Sequence, residues 1–354
     1  MNRYEIIRNN LRLRDLSRIV FKYDYYLKGK TENSFKLYSE GYLCVVLDNN
    51  HIACRELESS VIDIWNINTG VKVRSLYGHL KKIDNIGQEI EVLQLLPDGR
   101  LISGSTDTTL RIWNWHTGEC ELILEGNDSV SKLILLSSGK LAVGYFNGIK
   151  IWNLDTLQVE LEMQKDEIEH HSFLEINNHI VNSSYEGGNI TLFNLKTGKI
   201  ESYHSVSKDG CPLEVFNKDS FIGISREDQL NIWKVENDEL KIEKSFEIPG
   251  IMDFFVLQDK IIYSVLLKDG YGVRLLDPKN ELTINLDVLN NYLTDVRVLP
   301  DNTLALVSAY HLNIYDLEDN TLKIQYIGHN FHELRIIGNK LLAIHYTGDL
   351  TVLK

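Results

Sequence analysis

The stretch Gly78–Gly118, GHLKKIDNIGQEIEVLQLLPDGRLISGSTDTTLRIWNWHTG, decides how the rest of the chain is read. It holds an apolar run at Val92–Leu96, a tight turn at Pro97-Asp98-Gly99 and a second run at Leu101–Ser105. A polar turn at Thr106–Thr108 leads into a third run through Leu110, Ile112 and Trp113. Short runs rich in Leu and β-branched residues, broken by Pro, Asp and Gly, are the pattern of a meandering antiparallel sheet.

Working outward, the pattern recurs. The first turn returns as LDNNHI (Leu47–Ile52), LPDGRL (Leu96–Leu101), LSSGKL (Leu136–Leu141), INNHI (Ile176–Ile180), FNKDSF (Phe216–Phe221), LQDKI (Leu257–Ile261), LPDNTL (Leu299–Leu304) and IGNKL (Ile337–Leu341). The second strands then begin at Ile52, Leu101, Leu141, Ile180, Phe221, Ile261, Leu304 and Leu341, spaced by 49, 40, 39, 41, 40, 43 and 37 residues. A period near 40 is one four-stranded propeller blade. The third strands repeat independently, with Trp65, Trp113, Trp152, Phe193, Trp233 and Tyr315 at one position. The sixth unit offers Leu275 or Leu276 there, and in the eighth Val352 is expected to take it. Both markers count eight units. The eighth reaches Lys354 just after its third strand, whereas SFKLYS (Ser34–Ser39) alternates apolar and polar residues ahead of the first complete unit at Tyr42. That segment is expected to supply the missing strand and close the ring, a separate strand or loop being the alternative.

These residues resemble the WD-repeat β-propeller family. The match rests on Gly78-His79, on the Ser-Gly-Ser-x-Asp run at Ser103–Asp107, and on Ile112-Trp113-Asn114, with Asn where the family usually has Asp. The resemblance implies an all-β, eight-bladed WD-repeat-like β-propeller over residues 34–354, closed by an N-terminal strand. It also implies a buried network of His79, Ser103, Asp107 and Trp113 that tethers strand and loop, with Ser105 as the alternative hydroxyl. A His-Ser-Asp set invites a hydrolase reading, and the resemblance assigns it to structure instead. Gly328-His329 repeats the dipeptide without a recognisable network around it.

Residues 1–33 form a basic N-terminal segment. Within residues 1–30, eight basic residues stand against three acidic ones, a net +5, which leaves −18 for the remainder of a chain of net charge −13. Ile6, Leu13, Leu16, Val20, Tyr23 and Leu27 fall on one face of a short helix. This helix packs against the acidic propeller or docks a partner, a presequence or membrane-surface helix being weaker alternatives. An amino-terminal helix before such a propeller also resembles the F-box/WD-repeat substrate receptors of ubiquitin ligases, although no Leu-Pro start precedes it here.

Composition narrows the function. With 43 % hydrophobic and 25 % charged residues over 354 positions, the chain is an ordinary globular one. No apolar run approaches the ~20 residues that span a bilayer, and the amino terminus is too charged for a secretory signal. A cytoplasmic, monomeric protein is expected, with Cys44 and Cys54 a reduced pair on neighbouring strands. The acidic body disfavours nucleic acid. No P-loop, GxGxxG, GxSxG or HExxH occurs. His170-His171 and His345 lack further metal ligands, and Glu167 and Glu169 sit in a charged connection; no cofactor is expected.

The candidate binding surface is the set of turns between second and third strands, which line one face of a propeller of this family. They carry Tyr145, Phe146, Tyr185, Arg226, Tyr271, Tyr310 and Tyr346, with Arg55, Glu56, Glu227 and Lys268 as further charges. Aromatic residues and Arg concentrate at interface hot spots. The expected function is therefore a non-enzymatic scaffold for a protein or peptide partner. A ligase substrate receptor is a more specific alternative, and a propeller enzyme or small-ligand binder using the central channel another. The channel readings would need carboxylates, His or Arg at matching places in several blades, and the sequence reading finds none.

Overall fold

A computed structural model describes residues 31–353 apart from 37–41, 57–58, 80–88, 127, 146–147, 165–169, 185–188, 206–212, 225–227, 258, 269, 290–292, 300–302, 317–321, 328–330, 338–339 and 346–348. Within them, strands assemble into eight four-stranded antiparallel sheets. Seven are simple meanders running from the channel outward: blade 1 (42–76), blade 2 (90–125), blade 3 (130–164), blade 4 (170–205), blade 5 (213–247), blade 6 (251–289) and blade 7 (293–327). Blade 8 takes three strands from 331–353 and its outermost from Thr31–Lys36. Phe35 lies opposite Leu350 and Lys36 opposite Asp349. The chain thus clasps its two ends in one sheet. The closing strand begins at Thr31, three residues earlier than Ser34. The expected N-terminal helix lies outside the described residues.

The turns follow from their residues. At the lower end of blades 1, 2, 3, 4 and 6 the third strand ends in Asn or Asp, whose side chain accepts from the backbone N–H groups two and three residues on. Asn114 Oδ1 takes His116 and Thr117, Asn153 takes Asp155 and Thr156, and Asp277 takes Lys279 and Asn280. An amide oxygen serves this Asx turn as well as a carboxylate, which accounts for Asn in the Asp position. The turn closes through a left-handed residue, Gly118 at φ 88° in blade 2 and Gly198 at φ 69° in blade 4. Blade 3 has Leu157 there, at φ 58°.

Cores lie in the seams between blades, one apolar cluster per seam. Blades 2 and 3, for example, meet through Ile102, Ile112, Leu133, Val143 and Trp152. In register, Trp65 lies opposite Ile52, Trp113 opposite Leu101 and Trp233 opposite Phe221. Leu276 takes this place in blade 6, opposite Ile261. In blade 8 the place belongs to Leu353, opposite Leu341, and Val352 is one residue out of register and faces the other seam. A one-residue slip exchanges the two faces of a strand, and the short LTVL segment carries no aromatic residue to mark its phase.

One expectation about redox state is corrected. Cys44 and Cys54 are directly opposed across the first two strands of blade 1, with Cα atoms 4.3 Å apart, and they are joined in a disulfide rather than reduced. Both face the seam where blade 1 meets blade 8.

Candidate functional site

Antiparallel meanders put the turn between second and third strands at the same end of each blade as the connection to the next blade. The sequence candidates belong to this upper end. The deepest group there is the network of blade 2. His79 Nδ1 lies 2.8 Å from Asp107 Oδ2 and Nε2 lies 2.7 Å from Ser103 Oγ. The Trp113 indole N–H donates to the same Ser103 oxygen at 2.8 Å. Asp107 also accepts from the Thr109 hydroxyl and backbone N–H at 2.7 and 2.9 Å. With Nδ1–H donating to the carboxylate, Nε2 accepts the serine proton, and every member is satisfied. Ser105 accepts from the Asp107 backbone N–H at 3.1 Å and stands outside this chain. The order Ser-His-Asp imitates a hydrolytic triad, yet Ser103 is fully buried and its oxygen already accepts the indole N–H. No substrate carbonyl can reach it.

Of the face candidates, Tyr145 is not on the surface at all. It is 2 % exposed and packs in the seam between blades 2 and 3. Its hydroxyl accepts from Trp152 Nε1 at 3.1 Å, and burial pushes its pKa up to about 12. Val143 occupies the place in blade 3 that Ser103 holds in blade 2, so the indole finds the tyrosine instead. Tyr145 is therefore removed from the partner face. Arg55 is buried as well, pairing with Glu89 of blade 2 at 3.5 Å. Tyr310 is 44 % exposed on the turn of blade 7, and Tyr271 is half-buried at the start of the third strand of blade 6. Phe146, Tyr185, Arg226 and Tyr346 lie outside the described residues, as do Glu167, Glu169, Glu227 and His329.

Two exposed apolar residues join this face that the aromatic search passed over. Met252 is 50 % and Leu266 55 % exposed. Met252 sits at a β-bulge between the Ile251–Val265 and Asp253–Ser264 pairs, and Leu266 lies opposite Tyr271. Leu266 N–H donates to Gly250 O at 2.8 Å, holding the turn against the chain that enters blade 6. Exposed Lys268 flanks them. A search weighted toward aromatic residues and Arg could not find an aliphatic bulge.

The central channel also departs from expectation. Asp253, Asp295 and Glu333 occupy the same position of the innermost strands of blades 6, 7 and 8, each just after the bulge, and Arg297 and Arg335 match two residues on. Arg297 bonds Asp295 at 3.1 Å and reaches Glu333 at 3.5 Å, while Arg335 pairs with Glu333 at 2.6 Å and donates to Cys44 O at 3.3 Å. Asp295 further accepts from Leu334 N–H of the next blade at 2.8 Å, and Glu214 of blade 5 likewise accepts from Val256 N–H of blade 6 at 2.5 Å. An innermost strand exposes one edge of unused N–H groups to the channel, and carboxylates from the neighbouring blade occupy it. These groups are spent on joining blades. Burial pushes Glu214 up to about 7, and it raises Asp253 and Glu333 too. The signal was present in LTDVRV and FHELRI, where an acid and an arginine alternate on one strand.

Among the described residues, no three His, Cys, Asp or Glu side chains are grouped to hold a metal ion, and no helix is long and apolar enough to cross a membrane. His345 Nε2 is engaged by the Thr351 hydroxyl at 3.1 Å.

Comparison with known proteins follows the repeat. No family model matches the chain. Apoptotic protease-activating factor 1 of Mus musculus is 30 % identical over 105 residues, 29 % of this chain and 8 % of that protein. The WD repeat-containing protein pop1 of Schizosaccharomyces pombe is 33 % identical over 78 residues, 22 % of this chain and 9 % of that one. Apoptotic protease-activating factor 1 of Homo sapiens is 26 % identical over 198 residues, 52 % of this chain and 14 % of its own length. The matches thus span less than a sixth of these curated relatives. Among solved structures, the computationally designed Ika8 protein superposes with a TM-score of 0.72 at 18 % identity, covering 92 % of this chain and 99 % of its own. The C-terminal WD40 domain of Sif2 gives 0.66 at 18 % identity, covering 90 % and 98 %. With eight four-stranded blades, the Trp register and a closing strand, the chain is an eight-bladed β-propeller that is similar to WD-repeat proteins over part of its length.

Proposed function

We propose that this propeller is a binding module for a protein or peptide partner, and that the partner docks on the upper face of blades 6 and 7. One observation carries the reading: Met252, Leu266 and Tyr310 are each exposed at the upper ends of these two adjacent blades, with Tyr271 opposite Leu266. Most of the other large exposed apolar residues, among them Val71, Ile123, Val159, Ile200, Ile242, Leu282 and Leu322, sit on outermost strands scattered around the ring. Such scattering is normal on any surface, whereas a cluster on a rigid end marks a contact site. The channel arginines and most of its carboxylates are committed to joints between blades, which favours the upper face over channel chemistry.

The test is affinity capture from source cells with the full-length protein and with Met252→Asp/Leu266→Asp/Tyr310→Asp, both checked for equal melting temperature. A partner set lost from the variant supports the reading, and ligase components within that set favour the substrate-receptor version. An unchanged set overturns the upper face of blades 6 and 7 as the docking site.

A further inference from the structure

A slot of about 440 Å³ opens between the outer strand of blade 5, with the connection that follows it, and the face of blade 6. Tyr263, Arg274 and Leu276 line it from blade 6, and Phe246 and Glu247 from blade 5. Tyr263 and Arg274 are directly opposed in register, so their side chains rise from the sheet together. The tyrosine ring is buried in the seam of blades 5 and 6.

Arg274 distinguishes the slot. Arg55, Arg74, Arg100, Arg111, Arg297 and Arg335 each hold a carboxylate, a carbonyl or a sulfur. Arg274 is half-buried and, among the described residues, has no acceptor. Glu281, which lines the same slot, is taken by Lys244 at 2.8 Å, and that ammonium also donates to Pro278 O at 2.6 Å. The Tyr263 hydroxyl likewise has no hydrogen-bond partner among the described residues. A partly desolvated guanidinium and a phenol, opposed in register, therefore line one space as donors, and Glu281 of the same lining is held by Lys244.

We infer that this slot binds a monoanionic carboxylate carried on an apolar body, with Arg274 as the bidentate anchor, Tyr263 as a second donor, and Phe246 and Leu276 against the body. A guanidinium fork matches a carboxylate's two oxygens. Glu247 and Glu281 line the same slot and repel a dianion, which selects carboxylate over phosphate. This inference is independent of the upper-face reading.

The experiment is an NMR titration of the full-length chain, labelled with ¹⁵N-arginine, against 3-phenylpropionate, uncharged 3-phenylpropanamide and phenyl phosphate. The expected result is one saturable arginine Nε–H shift with 3-phenylpropionate that is missing in Arg274→Gln. The amide and the phosphate should bind at least about tenfold more weakly. Tyr263→Phe keeps the ring and the seam packing, and should weaken binding severalfold while the Arg274 signal still responds. The inference fails if no signal saturates at millimolar 3-phenylpropionate, if Arg274→Gln binds it equally well, or if the amide or the phosphate matches it.

Discussion

Trp152 Nε1 donates to the Tyr145 hydroxyl at 3.1 Å, and so blade 3 meets with a phenol the need that blade 2 meets with Ser103, 2.8 Å from Trp113 Nε1. Two blades bury the same indole and satisfy its N–H by different routes. Tyr145→Phe leaves that donor stranded in an apolar seam and should destabilise the protein by about 1–2 kcal/mol. Combined with Trp152→Phe, the loss should be smaller than the sum of the single losses, because the double variant strands nothing. Urea unfolding of the four proteins measures this, and strict additivity would show that the bond contributes nothing.

The blade 2 network gives a sharper contrast. Ser103→Ala removes a partner from both His79 and Trp113, and a loss of about 2–4 kcal/mol is expected from two orphaned buried groups. Ser105→Ala removes one bond, to the Asp107 backbone, and should cost about 1 kcal/mol. Equal losses in chemical unfolding would count against the network as drawn.

Leu157 holds a left-handed backbone where blades 2 and 4 have Gly118 and Gly198, and its N–H closes the same turn on Asn153 O at 2.9 Å. A side chain in that region costs about 1–2 kcal/mol, part of which glycine returns through its freer unfolded state. Leu157→Gly should therefore raise stability by about 0.5–1 kcal/mol. A lower melting temperature would mean that the half-exposed leucine packs more than its position suggests.

Glu214 carries a pH dependence with a definite sign. Its folded pKa of about 7 lies above the ordinary carboxyl value of 4.5, chiefly from burial, with the Asp253 and Asp295 carboxylates adding to it and Val256 N–H and Arg297 opposing. The folded state then holds the proton more tightly, so its stabilising contribution is complete below about pH 4.5 and disappears as pH rises through 7. Asp253 and Glu333 act in the same direction and His332, lowered by burial, in the opposite one. Comparing the protein with Glu214→Gln isolates the one group. The melting temperature of the unaltered protein should fall more between pH 5 and pH 8 than that of the variant, by the equivalent of about 1–2 kcal/mol. Parallel curves would remove Glu214 from the account.

The repeat was legible because it is written twice, in turn residues and in the Trp position, and each marker has a local cause. Asn114, Asn153 and Asp277 hold turns that any chain with that spacing must make. The register of blade 8 was misread at Val352 because nothing in LTVL distinguishes its two faces. Tyr145 was misplaced for a different reason. A tyrosine at the end of a strand points inward or outward according to what the neighbouring blade leaves open, and Gly126 makes the room: a Cβ there would sit 2.5 Å from the Tyr145 ring. The channel lattice of Asp295, Arg297, Glu333 and Arg335 is harder to read, because the acid and arginine of each strand acquire their role through the links that cross from blade 7 to blade 8, Arg297 to Glu333 and Leu334 N–H to Asp295. Met252 and Leu266 are ordinary in sequence and become a surface through a bulge and a turn.

The clasp of Thr31–Lys36 against Asp349–Leu353 has a consequence in time. During synthesis the first of these strands emerges long before the second, and at ordinary elongation rates the interval is on the order of tens of seconds. Throughout it, the early strand has an open edge and no native partner, while the blades between them fold by local meanders with little loop to close. Ring closure is then a single late event that joins segments from opposite ends of the chain. A nascent chain stalled before residue 349 should hold folded blades with Thr31–Lys36 open to strand-binding chaperones, or to the same segment of a neighbouring chain on the same message.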